Sequence, residues 1–125
     1  MTYDPGSIGE SELITRFGYD SGYYRTNRTA KTKAFEPDEN DEVSVFRIDD
    51  VSGERLWALG DAARNRRAKA SIQIVAEKVY DVGLNLSIAE PPVRHAVIDG
   101  WPVEHLRIQK QQELADAAEV VFRPV

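Results

Sequence analysis

The chain has 125 residues, a size that one domain accounts for. It holds no cysteine, which excludes a disulfide framework, thiolate metal sites, iron–sulfur clusters and a cysteine nucleophile. With 16 Lys and Arg against 21 Asp and Glu the net charge is −5, which argues against a uniformly basic nucleic-acid binder.

Residues 1–12 are polar and carry Pro5, Gly6 and Gly9, so they read as a flexible N-terminal segment without the apolar centre of a signal peptide. Residues 13–125 read as a single α+β domain. No apolar run approaches the roughly 18 residues that a membrane span needs, so a cytoplasmic protein that engages no membrane is the expectation. Leu13 to Phe17 is a short apolar run that fits either a strand or a helical turn. Gly18 to Thr32 lacks periodicity and reads as a long loop. Val43 to Ile48 is β-branched and aromatic, and apolar residues on both faces predict a central strand.

Ser52 is a suitable N-cap for an amphipathic helix to about Arg64, built on Leu56, Leu59 and Ala63 beside Trp57. Arg64, Arg66, Arg67 and Lys69 then fall at its C-terminal end, where the helix dipole favours cations. Ala70 to Ile74 is a short extended piece. Val75 to Val82 predicts a second helix stopped by Gly83. Leu84 to Ile88 alternates as a strand. Arg94 to Ile98 does too, with His95 and Val97 on one face. Asp99-Gly100 is a turn, and Pro102 suits the start of the longest helix, Val103 to about Val120, with Leu106, Leu114, Ala118 and Val121 near one stripe. Val120 to Arg123 fits a last strand. The sum is a compact α+β domain of about four strands and three helices, with no topology assigned.

Three features carry polar chemistry. The first is the strand and turn around His95. A histidine serves as general acid or base or as an anion ligand, and Asp99 is placed to orient it. The bland reading is a His95 bonded to backbone, with Trp101 closing the core. The second is Arg47, an arginine inside an apolar strand. A buried guanidinium is costly unless paired, so it meets either a carboxylate, with Asp49 and Asp50 as local candidates, or an anionic ligand. Arg16 is a second candidate anion clamp. The third is the basic–aromatic stretch that holds Tyr19, Tyr23, Tyr24, Arg25, Arg28, Lys31 and Lys33. Tyr and Arg are common anchors of protein interfaces and also stack on bases. Alternatively, these cations simply neutralise the acidic run Glu36 to Glu42 on the surface. His105 sits beside Glu104 without helical pairing geometry, so no metal site is expected. Glycine-rich nucleotide loops and the GxSxG pattern are absent, and no cofactor is implied.

The blocks Lys33-Ala34-Phe35-Glu36-Pro37, Val43-Ser44-Val45-Phe46-Arg47 and His95 to Pro102 together resemble a group of short bacterial proteins of uncharacterised function, over roughly Leu13 to Val121. That resemblance implies a bacterial cytoplasmic origin and brings no activity, cofactor or partner.

The expected function is a non-catalytic binding or accessory protein. It would engage a protein partner, or a second copy of itself, through the basic–aromatic stretch. The alternative is a small transferase or hydrolase acting on a phosphate-bearing ligand, with His95 as acid/base and Arg16 and Arg47 as clamps. A nucleic-acid-binding module is a further alternative that the net charge disfavours. A shared pocket for His95 and Arg47 would favour the enzyme.

Overall fold

The computed structural model describes residues 6–125. Its centre is one sheet of six strands: β1 (Leu13–Gly18), β2 (Val43–Arg47), β3 (Ala70–Val75), β4 (Asn85–Ile88), β5 (His95–Asp99) and β6 (Glu119–Phe122). The order is β4-β5-β2-β1-β3-β6, and every neighbouring pair is antiparallel. Three helices accompany it: α1 (Glu54–Arg64), α2 (Ala76–Asp81) and α3 (Arg107–Ala117). The α+β class and the number of helices agree with expectation. The strand count is six rather than about four, because Leu13–Gly18 and Ala70–Val75 are both strands and pair with each other at six positions. β1 shows no clean alternation because it lies inside the sheet with packed layers on both sides.

One face of the sheet carries Ile14, Val45, Ile72 and Ile98, which pack with Val79 of α2, Leu114 and Ala115 of α3, and Phe35 of a short 3-10 turn at Thr32–Phe35. The opposite face carries Phe17, Phe46 and Ile48 against Leu56 and Trp57 of α1. Gly60 makes this second layer possible. A Cβ there would come within 2.6 Å of the Phe17 ring and 2.9 Å of Ala68, so only glycine lets α1 lie so close. Trp57 is core, and Trp101 packs at the edge of the first cluster with its Nε1 donating to the Ile98 carbonyl at 3.0 Å.

The helix boundaries differ from expectation in two places. Gly53, at φ +58°, occupies the N-cap of α1, not Ser52. The long C-terminal helix begins at Arg107 rather than near Pro102, after a 3-10 turn at Glu104–Leu106, and Leu106 is exposed rather than on the buried stripe. It ends at Ala117 because the β-branched Val120 and Val121 pair with Ile72 and Ser71 of β3.

Of the segment 1–12, residues 1–5 lie outside the described residues. Residues 7–12 are tied to the domain. The Ile8 carbonyl accepts from the Tyr80 hydroxyl at 3.0 Å, the Glu10 and Glu12 carbonyls accept from the Glu77 and Ala76 amides at 2.8 Å, and Glu12 is buried. No helix among the described residues is long and apolar enough to cross a membrane.

Candidate functional site

The site begins at a local failure of strand pairing. β1 pairs with β3 over its whole length but with β2 only at Ile14–Arg47 and Thr15–Phe46. Beyond Thr15 the two strands part, and the Arg16 side chain enters the gap. Its Nη1 donates to the Ser44 carbonyl at 3.2 Å, and its Nη2 donates to the Tyr23 hydroxyl at 3.2 Å. The guanidinium lies 4.9 Å from the Tyr23 ring centroid, within cation–π range. The Nε is buried with no hydrogen-bond partner, and among the described residues no carboxylate forms an ion pair with Arg16. Burial pushes the Arg16 pKa below its ordinary value. The neighbouring Tyr23 opposes that shift, the charge of Arg64 reinforces it, and the charge of Asp38 opposes it weakly.

The gap opens into a cleft of about 340 Å³ lined by Arg16, Tyr19, Tyr23, Ser44, Phe46 and His95, with Lys33, Arg64 and Arg66 at its walls. Four cations thus face one carboxylate, Asp20. An adjoining hollow of about 230 Å³ shares Arg16, Tyr23, Lys33, Ser44 and Arg64 and is bounded by Glu36, Asp38 and Glu42. Arg64 closes α1, and Arg66 follows the left-handed Asn65 that ends it. The same helix end that favours cations therefore delivers them to the cleft. Arg66 also lies over the Tyr19 ring at 5.4 Å, and the Tyr19 hydroxyl donates to the Gly60 carbonyl at 2.6 Å.

The register of β2 on β5 sets Phe46 opposite His95 and Ser44 opposite Val97, so Ser44, Phe46 and His95 share one face. The His95 ring lies 5.2 Å from the Phe46 ring and bonds at both nitrogens. Its Nδ1 is 2.9 Å from the Ala89 carbonyl, which only accepts, so Nδ1 carries the proton in the neutral ring. Nε2 is then an acceptor, and its partner is the Ser44 hydroxyl.

Several expected site residues lie elsewhere. Arg47 points to the face opposite His95 and does not share its cleft. Its Nε and Nη2 meet the Glu12 carboxylate at 2.9 and 2.8 Å, and Nη2 also donates to the Ser7 carbonyl at 2.6 Å. Its carboxylate is therefore Glu12, not Asp49 or Asp50. Asp49 accepts from the Leu13 amide, and Asp50 pairs with Arg94. Asp99 does not orient His95; it accepts from the Ser87 hydroxyl at 2.7 Å, and Ala89 does the orienting.

The basic–aromatic stretch divides. Tyr19, Tyr23 and Lys33 line the cleft. Tyr24 turns its ring onto Phe122, 5.6 Å between centroids and edge-on, while Arg28 lies over the same Phe122. Arg25 donates to the Thr29 hydroxyl and the Ala30 carbonyl, and the Lys31 amide donates to the Tyr23 carbonyl.

Ser44, Arg64 and Arg66 are among the cleft residues that the sequence did not single out for a ligand. Alternation puts Ser44 on the face away from Arg47, but only the β2–β5 register brings it to His95. Among the described residues no group of three or more His, Asp or Glu side chains could hold a metal ion.

No family model matches the chain, and no curated protein or solved structure matches it.

Proposed function

We propose that this protein binds a small phosphate-bearing anion in the cleft between β1 and β2. Arg16 carries the reading. It is a half-buried guanidinium whose buried Nε lacks a partner, and among the described residues no carboxylate forms an ion pair with it. A guanidinium partly drawn from water, with its Nε desolvated, favours an anion beside it. Lys33, Arg64 and Arg66 add to the same field, and a guanidinium fork matches phosphate geometry. The enzyme alternative drawn from the sequence thus keeps Arg16 and His95, loses Arg47 and Asp99, and gains Ser44.

Calorimetric titration with inorganic phosphate and with pyrophosphate tests the reading. Saturable binding is expected, stronger for pyrophosphate because it offers more charge. The double variant Arg64→Gln/Arg66→Gln changes two exposed side chains, so its fold should match that of the parent. It should weaken binding by about tenfold, the effect of losing two exposed, solvent-screened charges. No saturable heat up to about 10 mM, a range that covers millimolar dissociation constants, would sink the proposal.

A second reading keeps the protein-partner function. Arg25 and Arg28 are exposed and outside the cleft, and Arg28 lies beside Phe122 on the edge strand β6. Sedimentation equilibrium tests its homodimer form. A dimer weakened by Arg28→Glu would support it, and a monomer at every concentration would remove that form.

A further inference from the structure

We propose that Ser44 is a nucleophile activated by His95 and that the cleft hydrolyses phosphoesters. The inference rests on the reading of the cleft as a phosphate site and adds a reaction to it. Three observations support the step from binding to chemistry. The Ser44 hydroxyl is bonded to His95 Nε2. The Ala89 carbonyl holds the other ring nitrogen, which fixes the tautomer that leaves Nε2 basic. Both side chains are half-buried and open into the cleft, so a ligand held by its cations lies against the hydroxyl.

The parts match those of a nucleophile, a base and an orienting group, with a main-chain carbonyl in the third role. Charge grows on the non-bridging oxygens of a phosphoryl group during transfer. Arg16, whose guanidinium already bridges to the Ser44 backbone, stands where that charge develops.

The chemistry balances without a metal or a co-reactant other than water. Ser44 Oγ attacks phosphorus as its proton passes to His95 Nε2. The ester P–O bond breaks, and His95 returns the proton to the departing alcohol oxygen. Water then gives a proton to His95 and attacks the phosphoserine. The Oγ–P bond breaks, and Ser44 recovers its proton. The net reaction is phosphomonoester plus water giving alcohol plus inorganic phosphate.

A fluorophosphonate probe followed by intact-mass spectrometry and peptide mapping tests the nucleophile directly. In that reaction the Oγ–P bond forms, fluoride leaves and the serine proton goes to His95. One adduct per chain is expected, at Ser44. It should vanish in Ser44→Ala and slow by about a hundredfold or more in His95→Gln, the usual worth of a positioned base. Ser87→Ala, a hydroxyl bonded to Asp99 outside the cleft, should label as the parent does.

Circular dichroism of Ser44→Ala confirms that loss of the adduct is not loss of the fold. No adduct on a protein that still binds inorganic phosphate would overturn the dyad and leave the binding reading standing. An adduct at Ser44 without phosphate binding, or turnover of p-nitrophenyl acetate but not p-nitrophenyl phosphate, would overturn the phosphoester assignment. An adduct mapped to any other residue would overturn the proposal whole.

Discussion

Arg16 and Arg47 sit on neighbouring strands of one sheet, and the protein treats them in opposite ways. Arg47 is enclosed on the face that α2 and α3 cover, 1% exposed, and the Glu12 carboxylate meets two of its nitrogens. Arg16 lies where β1 and β2 part, and it meets a carbonyl, a phenol and a ring but no carboxylate. A guanidinium with an internal counter-ion is a structural group, because its charge is already answered. A half-buried one with no ion-pair partner among the described residues leaves that role open to a ligand. The difference separates the two arginines, although both interrupt apolar strands in the sequence.

Glu12→Gln tests the paired arginine, where the effect is largest. It removes the carboxylate from a fully enclosed guanidinium, and losing one member of such a pair costs about 3–5 kcal/mol. Urea denaturation should show that loss as a lower midpoint with an unchanged slope. The double variant Glu12→Leu/Arg47→Leu should recover part of it, since two apolar groups leave no charge unanswered. A Glu12→Gln protein within about 0.5 kcal/mol of the parent would show that the pair does not hold the N-terminal segment to the sheet, because changes that small are typical of surface sites.

The same pair marks how far sequence reasoning reaches. Strands β2, β4, β5 and β6 are visible because alternation and β-branched runs are local signals, as is the stop at Gly83, which takes φ +83°. His95 and Val97 share a face as alternation requires, and so do Ala96 and Ile98. Glu12 is invisible as the partner of Arg47 because 35 residues separate them and nothing local favours it over Asp49 or Asp50. Ser44 and His95 are 51 residues apart, and their meeting depends on strand register. Arg64 and Arg66 are legible as helix-end cations, which they are. Their second role depends on where α1 ends over the sheet, and no local pattern states that.

Arg16→Gln tests the arginine that has no carboxylate partner among the described residues. The variant loses a stack and two hydrogen bonds from a charged donor to neutral acceptors but breaks no ion pair. Its stability in the absence of anions should fall by about 1.5–3 kcal/mol, the worth of one hydrogen bond from a charged group, because relief of the partly desolvated charge offsets the rest. Its gain in thermal midpoint on adding pyrophosphate should nearly vanish, since ligand stabilisation scales with occupancy. An Arg16→Gln protein that gains as much from pyrophosphate as the parent would place the anion elsewhere.

Alkaline pH separates the two regions by a smaller margin. Tyr80 lies beside the Glu12–Arg47 pair. Burial raises its pKa above the ordinary tyrosine value, with Glu12 and Glu10 pushing the same way and Arg47 opposing. Burial also raises Tyr19 at the cleft, but there the first opposing influence is Arg64, a cleft cation. For both, the folded state holds the phenolic proton more tightly than the unfolded chain does. Stability is therefore intact below about pH 10 and falls as pH rises through the folded values. Tyr80→Phe removes one of these protons, so its urea midpoint should decline less steeply above about pH 10 than that of the parent. Arg64→Gln acts the other way: without its charge the Tyr19 pKa rises further, so the alkaline decline should steepen. Parallel slopes for the parent and both variants would mean that neither phenol couples folding to pH, and that the carboxylates beside Tyr80 and the cation beside Tyr19 are too well screened by water to be felt.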